Sequence, residues 1–342
     1  MKQFFIRHRS PHHAENSGYS RLLDYITESH VIDGKPLIPY RLARTLASFT
    51  SENGGLYEAG SVFKELELYK ELIKCKKTSS VVHYLNAERD IRHVVKYASR
   101  FKNTAFSATF HKPPQVLESK IIKTTHLQKL DGAIAVGENQ VDYLKEKYRI
   151  NHVEYIPHGV DTDFFQPKPD VKEQNTLLFV GQHLRDFEAL NYCVPRIAEK
   201  VKHLKVNVVM HKAFIKNIIP HSSIQCHTGL NDMALRLLYQ QASMLFLPML
   251  NSTACNSILE SLACGLPIIT NNVGGNIEYL SNTKNIIIPP KRYDDLIDAV
   301  VQLLKSPNEL KEIGVTSREK ALTYDWNIIA NRVSEFHRKL LK

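Results

Sequence analysis

Cysteine is scarce in this sequence, and what there is does not pair up. The five residues Cys75, Cys193, Cys226, Cys255 and Cys264 are odd in number, widely spaced and free of any C-x-x-C motif. That pattern argues against a disulfide framework and against a zinc site, and it suits a reducing compartment. Long apolar runs are lacking too: nothing approaches the roughly 18 residues that cross a bilayer. The apolar run near the start, Phe4-Phe5-Ile6, is far too short for the core of a secretory signal. The expectation is a cytoplasmic protein, at most peripheral at the inner membrane face. A concentrated block of one charge is also missing. The net charge is +10, with +5 in residues 1–165 and +5 in 166–342, and the longest basic cluster is Lys74-Cys75-Lys76-Lys77. A nucleic-acid module would gather its charge in a stripe or tail, so no nucleic-acid partner is expected. The spread charge permits transient contact with an anionic membrane, but no amphipathic stretch is distinctive enough in the sequence to assert it.

What is present is length and a regular alternation. At 342 residues the chain exceeds what one core usually serves, which favours two domains. Hydrophobic residues make up 43% and charged residues 23%, so a folded globular protein is expected. Short β-rich runs alternate with helical periodicity throughout, the pattern of parallel sheets covered by helices. Predicted strands are Phe4–Arg7, Ser80–Leu85, Ala105–Phe110, Gly132–Val136 and Val153–Ile156, then Leu177–Val180, Val206–Met210, Ile224–His227, Met244–Pro248, Pro267–Thr270 and Ile286–Ile288. Between the two series, residues 166–175 are polar, carry Pro167 and Pro169, and read as a linker. The domains expected are therefore 1–165 and 176–324. In open α/β sheets ligands sit beyond the carboxyl ends of the strands, so with two such units the cleft between them is the natural place for a site.

Residues 244–280 carry the densest signal. They read as strand, polar loop, helix, Gly-Pro break, strand, Gly-Gly loop and helix start. Asn251, Ser252 and Thr253 are good helix N-caps, and small residues at Ala254 and Cys255 let another group approach the backbone. The N–H groups around 253–256, Asn256 included, would present the positive end of a helix to an anion such as a diphosphate. Glu260 lies inside the helix between Leu259 and Leu262, where a carboxylate could accept from a vicinal diol such as a ribose; taken alone, it is more simply an exposed helix glutamate. Gly274-Gly275 could let backbone approach a ligand, although such a pair is more often only a turn.

Taken in order, the strand ending at Pro248, the segment Glu260-Ser261-Leu262-Ala263-Cys264-Gly265-Leu266-Pro267, and Gly274-Gly275 with Glu278 resemble the nucleotide-sugar site of GT-B-fold glycosyltransferases. The resemblance is closest to the retaining group called glycosyltransferase family 4, or glycosyl transferases group 1. Leu130–Val136, Ile156-Pro157-His158-Gly159-Val160-Asp161 and Leu178-Phe179-Val180-Gly181 fall where that family has comparable pieces. Tyr324-Asp325-Trp326 is similar to its closing helices, which implies that 325–342 packs back on the first domain. The fold implied is α/β, GT-B, with two Rossmann-like doubly wound parallel-sheet domains and a cleft between them.

By the same resemblance, Glu260 matches the second glutamate of an E-x7-E pair and would hold the donor ribose. The first glutamate falls at Ser252, where this chain departs from the pattern. Arg185, in the short loop after Gly181, would neutralise the diphosphate; its plainer reading is a cation at the start of a helix. Gly18 resembles the glycine of the family's first loop, and His111, after a strand, would face the transferred sugar. Asp161-Thr162-Asp163 spells the D-x-D of metal-dependent glycosyltransferases of another fold, but it reads as the end of a turn, and no metal or cofactor is expected. The resemblance implies retaining, metal-independent transfer of a sugar from a nucleoside-diphosphate sugar to a hydroxyl acceptor that is a glycan, a lipid-linked sugar or a small molecule. The rivals are a GT-B epimerase or hydrolase, and a degenerate GT-B scaffold subunit motivated by Ser252 and the short loop.

Overall fold

A computed structural model of the chain describes residues 1–8, 16–49 and 55–341. They separate into two compact units. The first holds the described residues of 1–13, together with 19–158 and the chain from Asn327 onward; the second holds those of 14–18 and 159–326.

The first unit is built from β1 (Lys2–Ile6), β2 (Ser29–Ile32), α1 (Tyr40–Ser48), α2 (Ala59–Lys74), β3 (Ser80–Tyr84), β4 (Thr104–Phe110), α3 (Pro114–Lys120), β5 (Gly132–Ala135), α4 (Val141–Tyr148) and β6 (His152–Tyr155). Its six strands are all parallel, in the order β2-β1-β3-β4-β5-β6. A parallel sheet covered on both faces buries every side chain of its central strands, and β3, Ser80-Val81-Val82-His83-Tyr84, is buried throughout. The strand series expected from sequence is present to within a residue or so, with one omission. β2 is only four residues long and carries one fully buried side chain, Ile32, so it has too little apolar pattern to be legible.

The second unit contains β7 (Thr176–Val180), α5 (Phe187–Lys200), β8 (Lys205–Val209), β9 (Ile224–His227), α6 (Asp232–Gln241), β10 (Met244–Leu247), α7 (Asn256–Ala263), β11 (Ile268–Asn271), α8 (Asn276–Leu280), β12 (Ile286–Ile288), α9 (Tyr293–Leu304) and α10 (Pro307–Leu322). Its parallel sheet runs β12-β11-β10-β7-β8-β9, which is the Rossmann order. The order reverses between β7 and β10, so the ligand crevice of such a sheet lies beyond the carboxyl ends of those two strands. In the first unit the corresponding reversal falls between β1 and β3.

The chain leaves the first unit at His158 rather than at 165. Val160 N–H donates to Tyr324 O, and Gly159 lies flat under the Trp326 indole, where a Cβ would stand 2.4 Å from a ring carbon. The polar segment 166–175 packs within the second unit: Glu173 N–H donates to Gln241 O, and Lys172 Nζ donates to Ala242 O at 2.8 Å. Prolines and polarity make it irregular, but those hydrogen bonds tie it down. The last helix, α11 (Trp326–Leu340), belongs to the first unit from Asn327 on. Ile329, Val333 and Phe336 are fully buried, and His337 Nδ1 meets Gln3 Oε1 at 2.8 Å. Residue 342, the end of the expected closing segment, lies outside the described residues.

Candidate functional site

The loops that follow β7 and β10 are locked together. Gly181 takes φ +91°, a left-handed conformation that favours glycine, and its N–H donates to Val209 O. Leu250 N–H donates to Leu184 O, and Asp186 N–H to Pro248 O. Asp186 then caps α5 by accepting from Ala189 N–H at 2.9 Å, the usual reason for an Asp at a helix start.

Arg185 sits at the centre of this junction, only 8% exposed. Its Nε donates to Val180 O, Nη1 to His183 O and Met249 Sδ, and Nη2 to Cys255 Sγ and Ser257 Oγ. A guanidinium has five N–H donors, and all five are directed at protein acceptors. The side chain therefore ties the Gly181 loop to the first turn of α7.

Helix α7 begins at Asn256, with Cys255 as its N-cap residue and no side-chain cap. Asn251, Ser252 and Thr253, expected as caps, lie ahead of it in the loop. Ser252 and Thr253 are each 3% exposed, and the Thr253 hydroxyl oxygen is buried without a hydrogen-bond partner. Gly274 and Gly275 pack against this loop: an added Cβ would stand 1.8 Å from Ser252 O at the first and 2.0 Å from Thr253 O at the second. Close backbone approach is thus what the pair is for, and the group approached is the 252–253 backbone. Ala254, half-buried between the loop and α7, leaves the helix entrance uncrowded.

Glu260 lies one turn into α7 and is 4% exposed, not the solvent-facing glutamate that a helix position alone would favour. One carboxylate oxygen accepts from Ser17 Oγ at 2.6 Å and the other from Tyr239 OH on α6 at 2.8 Å. Burial pushes its pKa up to about 7, against the lowering effect of the Ser17 and Tyr239 hydrogen bonds. Each carboxylate oxygen has a further lone pair, which leaves acceptor capacity for a diol. Asn16 and Ser17 segregate with the second unit. Asn16 donates to the Asp232 carboxylate through both its backbone N–H and its side-chain amide, and Asn256 Nδ2 reaches Ser17 Oγ at 3.4 Å. Gly18, at φ +91°, turns the chain directly after Ser17.

Sequence reasoning missed Ser17, Tyr239 and Asp232. Tyr239 is separated from Glu260 by 21 positions and Ser17 by 243, and no local pattern announces either pairing. The nearest hint is that Ser17 adjoins the singled-out Gly18.

In the first unit, His111 follows β4. Its N–H donates to Glu88 Oε1 at 2.7 Å, its Nε2 lies 2.7 Å from Leu85 O, and its ring meets Tyr19 edge-on at 4.8 Å. A carbonyl only accepts, so Nε2 carries the proton. Burial holds His111 below the ordinary imidazole range despite the Glu88 carboxylate, and the ring is neutral at pH 7. Behind it, Thr109 Oγ1 donates to Tyr19 OH and also contacts His83, whose other nitrogen meets Ser107. Asp161, of the D-x-D tripeptide, spends one carboxylate oxygen on Phe164 N–H at 2.8 Å and so closes a turn.

A Rossmann-ordered unit with a buried helix carboxylate beside its switch point, alongside a second parallel α/β unit, defines the chain as one of GT-B architecture. Residues 161–320, within the second unit, match the family model described as glycosyl transferases group 1. The chain is similar to an MMP α-(1→4)-mannosyltransferase of Mycolicibacterium hassiacum, at 24% identity over 199 residues, covering 54% of this chain and 48% of the relative. It thus spans about half the length of the curated relatives it matches. Among solved structures, the sucrose-phosphate synthase of Thermosynechococcus elongatus superposes with a TM-score of 0.69 at 16% identity, covering 99% of this chain and 88% of that one. The Anabaena protein HepE, solved with UDP and glucose, gives 0.66 at 12% identity, covering 98% of each. These likenesses establish the fold.

Proposed function

We propose that this protein is a retaining, metal-independent glycosyltransferase that moves a hexose from a nucleoside-diphosphate sugar to a hydroxyl acceptor. The observation that carries the reading is Glu260: a carboxylate buried in α7, beside the switch point of a Rossmann-ordered sheet, with acceptor capacity left over. In this reading Glu260 accepts from the ribose hydroxyls of the donor. The diphosphate lies at the start of α7, where the helix dipole and the backbone N–H groups of residues 253–256 meet its charge. As the glycosidic bond to the diphosphate breaks, the same groups stabilise the negative charge that develops on the departing oxygen. Gly181, Ser252, Gly274 and Gly275 shape the loops around it. Arg185 adds positive charge from behind and holds the loop and helix in register. His111, neutral and with Nδ1 as its remaining acceptor, faces the sugar. The Asp161 carboxylate accepts from Phe164 N–H with one oxygen, which fits its reading as the end of a turn. Five unpaired cysteines suit a cytoplasmic setting.

The relatives include GDP-mannose-dependent enzymes and the solved neighbours include UDP complexes, so both bases belong in the test. Thermal stabilisation by a panel of UDP- and GDP-hexoses is expected for at least one donor, and Glu260→Ala should abolish it. Stabilisation that survives Glu260→Ala would overturn the ribose assignment. A second reading, a binding subunit without transferase activity, is favoured by Ser252 in place of an acid and by the full engagement of Arg185. No stabilisation by any nucleotide or nucleotide sugar would decide for it.

A further inference from the structure

Outside the donor site, the first unit carries an apolar groove of about 420 Å³ between α1, α2 and the 3₁₀ segment Val94–Arg100. Its walls include Leu46, Phe49, Val62, Leu66, Tyr69 and Tyr97. The one carboxylate at its floor, Glu65, is already fully engaged: it accepts from Tyr57 OH at 2.6 Å and from the backbone N–H groups of Arg92, His93 and Val94. The groove is therefore apolar to its base.

Helix α1 extends that apolar surface outward. It packs on α2, and its buried side chains are the small Ala43 and Ala47. Leu42, Leu46 and Phe49 fall on one stripe of α1 and its C-cap, 49%, 43% and 82% exposed. Ordinary surface helices turn such a stripe inward, and this one faces solvent. Cations surround it. Arg41 and Arg44 lie on the remaining surface of α1, and Lys96 and Arg100 on the 3₁₀ segment, with the Arg100 guanidinium 5.0 Å from the Tyr97 ring centre. Residues 34–49 and 91–104 contain no acidic side chain.

We propose that α1 and this groove form a docking surface for an anionic phospholipid bilayer, with an acyl chain seated in the groove and the cations against the phosphate headgroups. An exposed apolar stripe beside positive charge that forms no ion pair among the described residues is the chemistry that recognises such an interface. A protein partner of ordinary composition would leave the cations facing uncompensated surface. The surface is separate from the donor site, so it stands or falls independently of the transferase reading.

The test is co-sedimentation of the full chain with vesicles of phosphatidylcholine alone and of phosphatidylcholine mixed with phosphatidylglycerol. Binding is expected to the mixed vesicles, to weaken with added salt, and to be absent from the neutral ones. Leu46→Ser with Phe49→Ser, and separately Arg41→Glu with Arg44→Glu, should each weaken it at least about tenfold. All four positions are exposed, and an unchanged melting temperature would show that each variant is folded. Wild-type protein that ignores the mixed vesicles, or folded variants that bind them as well as wild type, would overturn the proposal. So would concentration-dependent self-association abolished by the Leu46/Phe49 variant, which would assign the groove to a second copy of the chain.

Discussion

Glu260 is held in a state that a surface carboxylate never reaches. Its pKa is pushed from 4.5 to about 7 by burial, so between those values the folded chain keeps a proton that the unfolded chain has lost. Stability attached to this group is full below pH 4.5 and falls as pH rises towards 7, by roughly 3 kcal/mol in all. Glu260→Gln removes the ionisation, and denaturant titrations at pH 5 and pH 8 should show the variant losing about that much less between the two conditions. The ionised form is the better acceptor for a ribose diol, so nucleotide affinity measured by calorimetry should rise through pH 7 in the wild type and stay flat in the Gln variant. Ser17 donates to the charged carboxylate and lowers its pKa. Ser17→Ala is therefore expected to move the midpoint upward, and a midpoint that stays put would show that the Ser17 contact is electrostatically idle.

Among the elements, the junction between the β7 and β10 loops and α7 is rigid by construction. Arg185→Ala would leave the His183 carbonyl without its guanidinium donor and take a donor from Val180 O and Ser257 Oγ, which keep only their mutual hydrogen bond, at a cost of about 2 kcal/mol. Arg185→Lys should recover little of it, because an ammonium cannot reproduce the planar fork that reaches all of these acceptors. Denaturant midpoints of the two variants would separate geometry from charge. Gly274→Ala places a methyl 1.8 Å from Ser252 O, so the 252–253 loop must move or the variant must unfold locally. Nucleotide binding about tenfold weaker, with the far-ultraviolet spectrum unchanged, is the expected result. Normal affinity would show that the loop's position is unimportant to the ligand. The glycine pair was legible in the sequence as a close approach, but the partner in that approach was not, because the two loops are 22 residues apart and meet only through the sheet.

For the molecule as a whole, each unit has its own hydrophobic core, and the nucleotide part of the donor site as proposed draws only on the second. Saturating nucleotide should thus slow hydrogen exchange in 181–186, 250–262 and 272–278, and stabilise the second unit by about 3 kcal/mol at a hundredfold excess over Kd. Removing residues 327–342 deletes Ile329, Val333 and Phe336 from the first unit, so that unit should lose exchange protection while nucleotide binding persists. Loss of both together would show that the second unit depends on α11. The alternation of apolar runs and helical periodicity determined by itself the fold class, eleven of the twelve strands among the described residues and the α7 region as the place to look. That information is local: parallel strands buried on both faces must be continuously apolar, and a helix entrance needs small residues. The boundary at His158, the membership of the 166–175 segment, the engagement of Arg185 and the Ser17–Glu260–Tyr239 contact were decided only by the tertiary structure. Each of these depends on which hydrogen-bond partners burial brings together, and partners brought together by the tertiary fold, from 21 to 243 positions apart at Glu260, leave no periodicity to read.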